Sequence, residues 1–233
     1  MRYDNIVPGT FLSRPNRFIA HVETGGEAAV CHVKNTGRCR ELLIPGGLVY
    51  LQDFGPEPAG RKTRYDLIAV KKERPSGPLL INMDAQAPNK VFAEWARTGK
   101  FRPDLTLLRP ETVFGASRFD FYYETAAGAR GFVEVKGVTL EENGRALFPD
   151  APTERGVKHL EELIRARKQG YDAHVCFVIQ MAGMASFSPN DAAMPTFGAA
   201  LRRAVDAGVG AFAVECAVTP ETLEITEPVP VRI

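Results

Sequence analysis

Two carboxylates and a lysine have the residue types and spacing for metal-assisted phosphodiester cleavage: Asp120, within Arg118-Phe-Asp-Phe-Tyr-Tyr-Glu124, and the ends of the triplet Glu134-Val135-Lys136. Breaking a phosphodiester adds negative charge to a group that is already anionic, so the site must supply cations and an activated water. Magnesium prefers oxygen ligands, keeps several of its waters, and typically takes one or two protein carboxylates plus phosphate oxygens. Asp120 and Glu134 would supply those carboxylates to Mg2+ or Mn2+. Lys136 would hold or deprotonate the attacking water, or place positive charge on the transition state. Glu111, nine residues before Asp120, ranks third among the acids, as a water-mediated outer ligand of the metal. The ordinary alternative is a surface cross-strand salt bridge, because opposite charges on one sheet face are common.

A hairpin must position these groups. Residues 118–124 and 131–137 both alternate in character, with Ala126-Ala127-Gly128 between them, which predicts two half-buried strands and a three-residue turn with Gly128 left-handed. Thr125 then faces Ala129, and the register runs back to Asp120 opposite Glu134. Both carboxylates and Lys136 are expected on one face, with Phe119, Phe121, Val133 and Val135 on the other. Next, Phe148-Pro-Asp-Ala-Pro-Thr-Glu-Arg-Gly156 reads as a loop entering a helix: Pro152 and Thr153 suit its start, Gly170 its end, and Val157, Leu160, Leu163 and Ile164 its apolar stripe. Arg155, Lys158 and His159 would share a face near the helix start, where a phosphate meets side-chain cations and free backbone N–H groups. A solvated basic face is the other reading.

Four segments in one order, Cys31 to Gly46, Ser117 to Asp120, Glu134 to Leu140 and Phe148 to Gly156, closely resemble the sugar fermentation stimulation protein A family of prokaryotes. The resemblance covers essentially the whole chain. It implies a two-domain α/β protein, with an N-terminal OB-like β-barrel at 1–83 and a mixed-sheet, PD-(D/E)xK nuclease-like domain at 84–233 that includes a linker helix. It also implies a cytoplasmic DNA-binding protein and a link to the regulation of sugar catabolism, maltose use in particular. Asp120, Glu134 and Lys136 match the nuclease motif; the leading Pro of that motif is replaced by Phe119. Fold resemblance does not establish cleavage. A non-enzymatic DNA-binding regulator that retains a nuclease fold is therefore the alternative, and an α/β protein gripping a small phosphorylated ligand through Arg155, Lys158 and His159 is a third reading.

The rest of the chain bounds these readings. At 233 residues and 45% apolar composition it can fill real cores. Its net charge is only +1, but residues 1–82 carry 12 Lys/Arg against 8 Asp/Glu, and the remainder 17 against 20. Five strand-like stretches, at residues 10–24, 28–34, 47–54, 63–73 and 78–83, suit a small closed barrel. On it, Lys34, Asn35, Arg38 and Arg40 form a glycine-containing basic loop, and Arg61, Lys62, Arg64, Lys71, Lys72 and Arg74 add charge. Such a surface would track DNA phosphates without strong sequence preference. Residues 88–100 read as a packed linker helix with Trp95 as a domain-interface anchor. Strands at 171–181 and 210–219 and a helix at 195–207 complete the second domain. Gly208 to Ala213 matches GxGxxA formally, but it follows a helix and opens a strand, the reverse of a dinucleotide site. Cys31, His32 and Cys39 lack zinc spacing, so reduced structural thiols are expected of all four cysteines. No charged start with an apolar core opens the chain, and no apolar run approaches a membrane span, which predicts no membrane partner.

Overall fold

The first expected strand, at 10–24, divides into two. Pro15 removes a backbone donor, and Asn16 Oδ1 accepts from the N–H groups of Phe18 (2.9 Å) and Ile19 (3.0 Å). The chain therefore turns between β1 (Ile6–Ser13) and β2 (Ile19–Thr24). β3 (Glu27–Val33), β4 (Leu48–Asp53), β5 (Tyr65–Lys72) and β6 (Leu79–Asn82) follow. This computed structural model describes every residue except Thr36, Arg38, Glu57 and Pro58. β1 pairs antiparallel with β2 and β4, β2 with β3, and β4 with β5. β3 closes the barrel against β5 in parallel, through Cys31↔Tyr65, His32↔Asp66 and Val33↔Leu67. Five strands closed in this order form an OB-like barrel, in which β1 to β5 all have partners on both sides. β6 extends β5 toward the second domain.

The second domain contains α1 (Ala87–Arg97), β7 (Leu105–Phe114), β8 (Ser117–Thr125), β9 (Arg130–Val138), β10 (Leu140–Glu142), β11 (Arg145–Phe148), α2 (Glu154–Lys168), β12 (Asp172–Ile179), β13 (Ser186–Pro189), α3 (Pro195–Asp206), β14 (Gly210–Val218) and β15 (Leu223–Val229). Its main sheet is mixed, in the order β15-β14-β12-β9-β8-β7, with β9, β12 and β14 parallel. This is the mixed-sheet α/β domain expected. β12 is buried over most of its length because it is central and covered on both faces, so its sequence is a nearly continuous apolar run rather than an alternating one. α1 covers one face of the sheet, while α2 and α3 cover the other. The Gly208–Ala213 segment follows α3 and opens β14, as expected. Among the described residues no helix is long and apolar enough to cross a membrane.

Trp95 is not a domain-interface anchor. Its ring lies 5.9 Å from Phe92 and 6.4 Å from both Phe101 and Phe212, all within the second domain. α1 is thus part of that domain's own core rather than a spacer. The two domains instead join through one buried apolar cluster that includes Leu51 and Ile81 of the barrel together with Met181, Phe187 and Leu201. Polar clasps reinforce the junction. Asn82 N–H donates to Gln180 O at 2.9 Å, Gln180 Nε2 donates to Asn82 Oδ1 at 2.9 Å, and Lys72 Nζ pairs with Glu141 at 2.8 Å.

Candidate functional site

The β8–β9 hairpin has the expected turn. Thr125 N–H donates to Ala129 O at 3.0 Å, and Gly128 sits at φ 82°, a conformation that glycine adopts without steric cost. The register Tyr123↔Gly131, Tyr122↔Phe132 and Phe121↔Val133 leads one step further to Asp120 beside Glu134. There the backbone ladder stops. Val135 N–H donates to Asp120 Oδ2 at 2.7 Å, and Asn89 Nδ2, from the first turn of α1, donates to Oδ1 at 2.8 Å. The alternation also breaks at this point. Phe121, Val133 and Val135 pack toward α1, whereas Phe119 joins the opposite core, 5.2 Å from Phe132 and 6.3 Å from the His159 ring. Asp120 is accordingly anchored from the α1 side and Glu134 from the α2 side, rather than both lying on one flat face.

Glu134 is buried. Lys136 Nζ donates to its Oε1 at 2.6 Å, and His159 Nδ1 reaches the same oxygen. Arg155 Nε donates to His159 Nε2 at 3.3 Å. Because arginine can only donate, Nε2 accepts and the ring proton sits on Nδ1, aimed at Glu134. Glu134 Oε2 is buried and has no hydrogen-bond partner among the described residues. Burial pushes the Glu134 carboxyl up, but the His159 hydrogen bond and the Lys136 charge outweigh it and hold the group below its usual range. Burial, then the nearby Glu134 charge, push Asp120 up, against the Val135 and Asn89 hydrogen bonds. The two carboxyls are thereby driven apart in acidity. Gly137 closes the back of the site: a Cβ there would lie 2.6 Å from Gln180 Oε1 and 2.7 Å from Pro88 Cγ.

The helical basic cluster does not form as expected. Thr153 Oγ1 caps α2 by accepting from Gly156 N–H at 3.1 Å, so the helix starts where the sequence places it. His159, however, faces inward to Glu134 and is buried, because it lies on the boundary of the apolar stripe beside Leu160 and Leu163. Lys158 donates to Ala116 O at 3.0 Å in the β7–β8 turn. Arg155 and Lys158 remain exposed. Glu111 lies across the β7–β8 ladder between the pairs Pro110↔Phe121 and Thr112↔Phe119, next to Asp120. Its left-handed backbone, φ 51°, accompanies a side chain that lies on the surface, paired with Arg118 at 3.3 Å rather than with the carboxylate centre.

On the barrel, Lys34 is not a free phosphate contact. Its ammonium lies 2.6 Å from the fully buried Asp84 carboxylate, which also accepts from Gln86 N–H at 2.9 Å. Asn35 Oδ1 turns back to accept from Gly37 N–H at 2.8 Å. Arg38 lies outside the described residues. Arg40 is exposed and, with Arg14, Arg17 and Ala151, lines a cleft of about 410 Å³ between the barrel and the loop entering α2. Much of the remaining barrel charge is neutralised: Arg61 pairs with Asp66, Arg64 with Asp53, Lys71 with Glu73, and Lys72 and Arg74 with Glu141. Cys31 and Cys39 are buried free thiols, both pushed up to about 12, chiefly by burial. Asn89, Arg14 and Arg17 carry no local sequence signal beyond polarity; tertiary placement alone brings Asn89 to Asp120.

Residues 12–80 match the family model of the SfsA N-terminal OB domain, and residues 86–222 that of the sugar fermentation stimulation protein RE domain. A sugar fermentation stimulation protein homolog of Desulfitobacterium hafniense (strain Y51) is 56% identical over 234 residues, covering 100% of this chain and 99% of the relative. One from Clostridium beijerinckii is 52% identical over 232 residues, covering 99% of each. Among solved structures, Pyrococcus furiosus SfsA in complex with Ca2+ superposes with a TM-score of 0.86 at 29% identity, covering 100% of this chain and 98% of that one. With both of its domains matched and close relatives covering its full length, the chain belongs to the sugar fermentation stimulation protein family.

Proposed function

We propose that the protein binds nucleic acid and hydrolyses phosphodiesters with a hard divalent cation, Mg2+ or Mn2+, held by Asp120 and Glu134. The observation that carries this reading is Glu134 Oε2, a buried carboxylate oxygen without a hydrogen-bond partner among the described residues, beside a second, partly exposed carboxylate. A buried acceptor left unpaired is costly, and a cation would satisfy it. Among the described residues no three His, Cys, Asp or Glu side chains converge as a ready-made cage. Two protein carboxylates, completed by water and phosphate oxygens, are what magnesium typically takes. The P. furiosus relative is in complex with Ca2+, which supports a divalent cation in this chain as well.

When bound, the cation would polarise the phosphate and lower the pKa of a bound water. Lys136 holds positive charge beside Glu134, where it would stabilise the additional charge of the transition state. His159, steered by Arg155, fixes the rotamer of Glu134 from behind. Asn89 and Val135 N–H fix that of Asp120. Arg40 and the cleft it lines, followed by Arg155 and Lys158 at the start of α2, form the cationic route along which DNA phosphates would approach.

One observation favours a second reading, a DNA-binding regulator of sugar catabolism that retains the fold without cleaving. Glu134 Oε1 is already satisfied by Lys136 and His159 without any metal. A cleavage assay with single-stranded DNA, duplex DNA and RNA, with and without Mg2+ or Mn2+, decides between them. Metal-dependent cleavage abolished by Asp120→Ala and by Glu134→Ala establishes the nuclease; metal-indifferent DNA binding without cleavage of any substrate leaves the regulator.

A further inference from the structure

We infer that an aromatic-walled cavity at the C-terminal end of α1, on the face of the main sheet opposite Glu134, binds a nucleotide unit, a planar base carrying a phosphate. α1 ends because Gly99 takes up φ 81°; the N–H groups of Thr98 and Gly99 donate to Trp95 O and Ala96 O, each at 3.1 Å. The reversal brings Lys100, Phe101 and Arg102 back over the sheet, where with Trp95 they line a cavity of about 600 Å³ against His174 and Phe212. Phe101 and Phe212 lie nearly parallel, 22° between their planes and 5.9 Å between centroids. His174 meets them edge-on at 5.5 and 6.2 Å, and Trp95 stands 6.4 Å from each. Single half-buried rings need no explanation. Here four half-buried rings converge on one recess without filling it.

The imidazole in this wall stays uncharged. His174 Nε2 lies 3.1 Å from the Tyr123 hydroxyl, and burial pushes the ring down to about 4, so it is neutral at neutral pH. Gly210 makes room for it: a Cβ there would lie 2.5 Å from His174 Nδ1. The charged groups stand around these rings. Arg102 is shared between Asp172 at 3.5 Å and Asp104 at 3.6 Å, whereas Lys100 is exposed and has no ion-pair partner among the described residues. Glu227 of β15 adds an exposed carboxylate to the lining. Flat apolar walls take a ring, an unpaired ammonium takes an anion, and a carboxylate accepts from amino groups on a ring. A base with its phosphate offers all three, whereas a plain aromatic carboxylate has nothing to donate to Glu227. Such a unit has two sources, a free mononucleotide or one nucleotide of a bound strand. Asn89, which holds Asp120, lies on the same helix as Trp95, about 9 Å along its axis, so a strand at the carboxylate centre has the cavity within reach. Only the strand source rests on the nucleic-acid reading above.

Trp95 is the single tryptophan of the chain, so its fluorescence reports occupancy of the cavity. Titration of the full chain with AMP, in chelator, should quench it saturably. Adenosine, which lacks the phosphate, should bind about five-fold more weakly, the upper end for one exposed ion pair, and inorganic phosphate should leave the signal unchanged. AMP, GMP and CMP carry ring amino groups and should bind more tightly than UMP, a preference that Glu227→Ala should erase. Lys100→Ala, at an exposed position, should bring AMP to the affinity of adenosine and leave adenosine itself unchanged. Phe212→Ala should weaken both at least about ten-fold, with Phe212→Tyr close to wild type. Quenching by AMP assigns the site to a free nucleotide, and quenching by oligo-dA alone assigns it to a strand. No saturable quenching by either, adenosine bound as tightly as AMP, or AMP affinity unchanged in both Lys100→Ala and Phe212→Ala overturns the nucleotide site. Asp120→Ala/Glu134→Ala should bind AMP as wild type does, so failure of the nuclease reading and failure of this site are read separately.

Discussion

Asp120 and Glu134 are two carboxyls that the fold drives in opposite directions, and substitutions should reveal the difference. Burial, then the nearby Glu134 charge, disfavour a charged Asp120, so Asp120→Asn should be well tolerated; the Asn89 amide can turn over to accept from the new NH2 while Val135 N–H keeps its acceptor. Chemical denaturation should place this variant within about 1 kcal/mol of wild type. Calorimetric titration should show Mn2+ affinity reduced by more than about 100-fold, beyond the roughly 10–100-fold that changes to residues behind the ligands produce. A folded variant with wild-type metal affinity would remove Asp120 from the centre. Glu134 has the opposite sign. Its folded pKa lies below the usual 4.5, so its contribution is fully present above that value and is lost as pH falls through the folded pKa. His159→Phe removes the largest of the lowering influences and leaves burial to push the carboxyl up. The variant should lose about 2–4 kcal/mol at neutral pH, and the deficit against wild type should shrink as pH falls from the variant's raised folded pKa toward the wild type's lowered one. A deficit independent of pH would mean that the loss is packing alone. The types and spacing of Asp120, Glu134 and Lys136 were legible in the sequence because a period of two and a three-residue turn fix the register. The inward turn of His159 was not, since a histidine at the edge of an apolar stripe fits either side of a helix.

At the scale of elements, α2 both covers the sheet and delivers His159 to Glu134. Its N-terminus depends on Thr153, whose side chain accepts from Gly156 N–H. Thr153→Ala should cost about 1 kcal/mol in urea denaturation, while Thr153→Ser keeps the cap and should cost less. If fraying of the first turn loosens Arg155 and His159, the alanine variant should also bind Mn2+ more weakly than the serine variant; equal affinities would show that the centre tolerates a frayed helix start. The start and end of this helix were readable from Pro152, Thr153 and Gly170, because capping is local chemistry. The split of residues 10–24 into two strands had an equally local cause in Pro15 and Asn16, which the apolar pattern on either side obscured. β7, β13 and β15 left weaker traces. The first and last are edge strands whose alternation is broken by a run of three exposed residues, and the 4-residue β13 is too short to establish a period.

At the scale of the whole molecule, the barrel and the α/β domain share a core as well as a boundary. Asp84 marks the junction: fully buried, it is bonded to Lys34 of the barrel, to Gln86 N–H at the start of α1 and, at 3.3 Å, to the Tyr3 hydroxyl. Residues from Phe11 of the barrel to Phe187 of the second domain belong to one buried cluster. The whole chain should therefore unfold in a single calorimetric transition, with equal calorimetric and van't Hoff enthalpies. A separated 1–83 fragment would expose Ile81 and Met83 and leave Lys34 without its acid, and should not give a cooperative transition. Asp84→Ala strands the mostly buried Lys34 ammonium and takes the acceptor from the Tyr3 hydroxyl, which keeps only its bond from Asn82, and should cost about 3–5 kcal/mol in the full chain while leaving the carboxylate centre itself unaltered. Lys34→Met leaves the fully buried Asp84 carboxylate without its counter-ion and should cost at least as much. Two separated transitions, or a 1–83 fragment as stable as the intact protein, would show that the domains are joined more loosely than their common core requires. Lys34 would then return to the pool of cations available to a phosphate chain, which the steepness of the salt dependence of DNA binding in Lys34→Met would register.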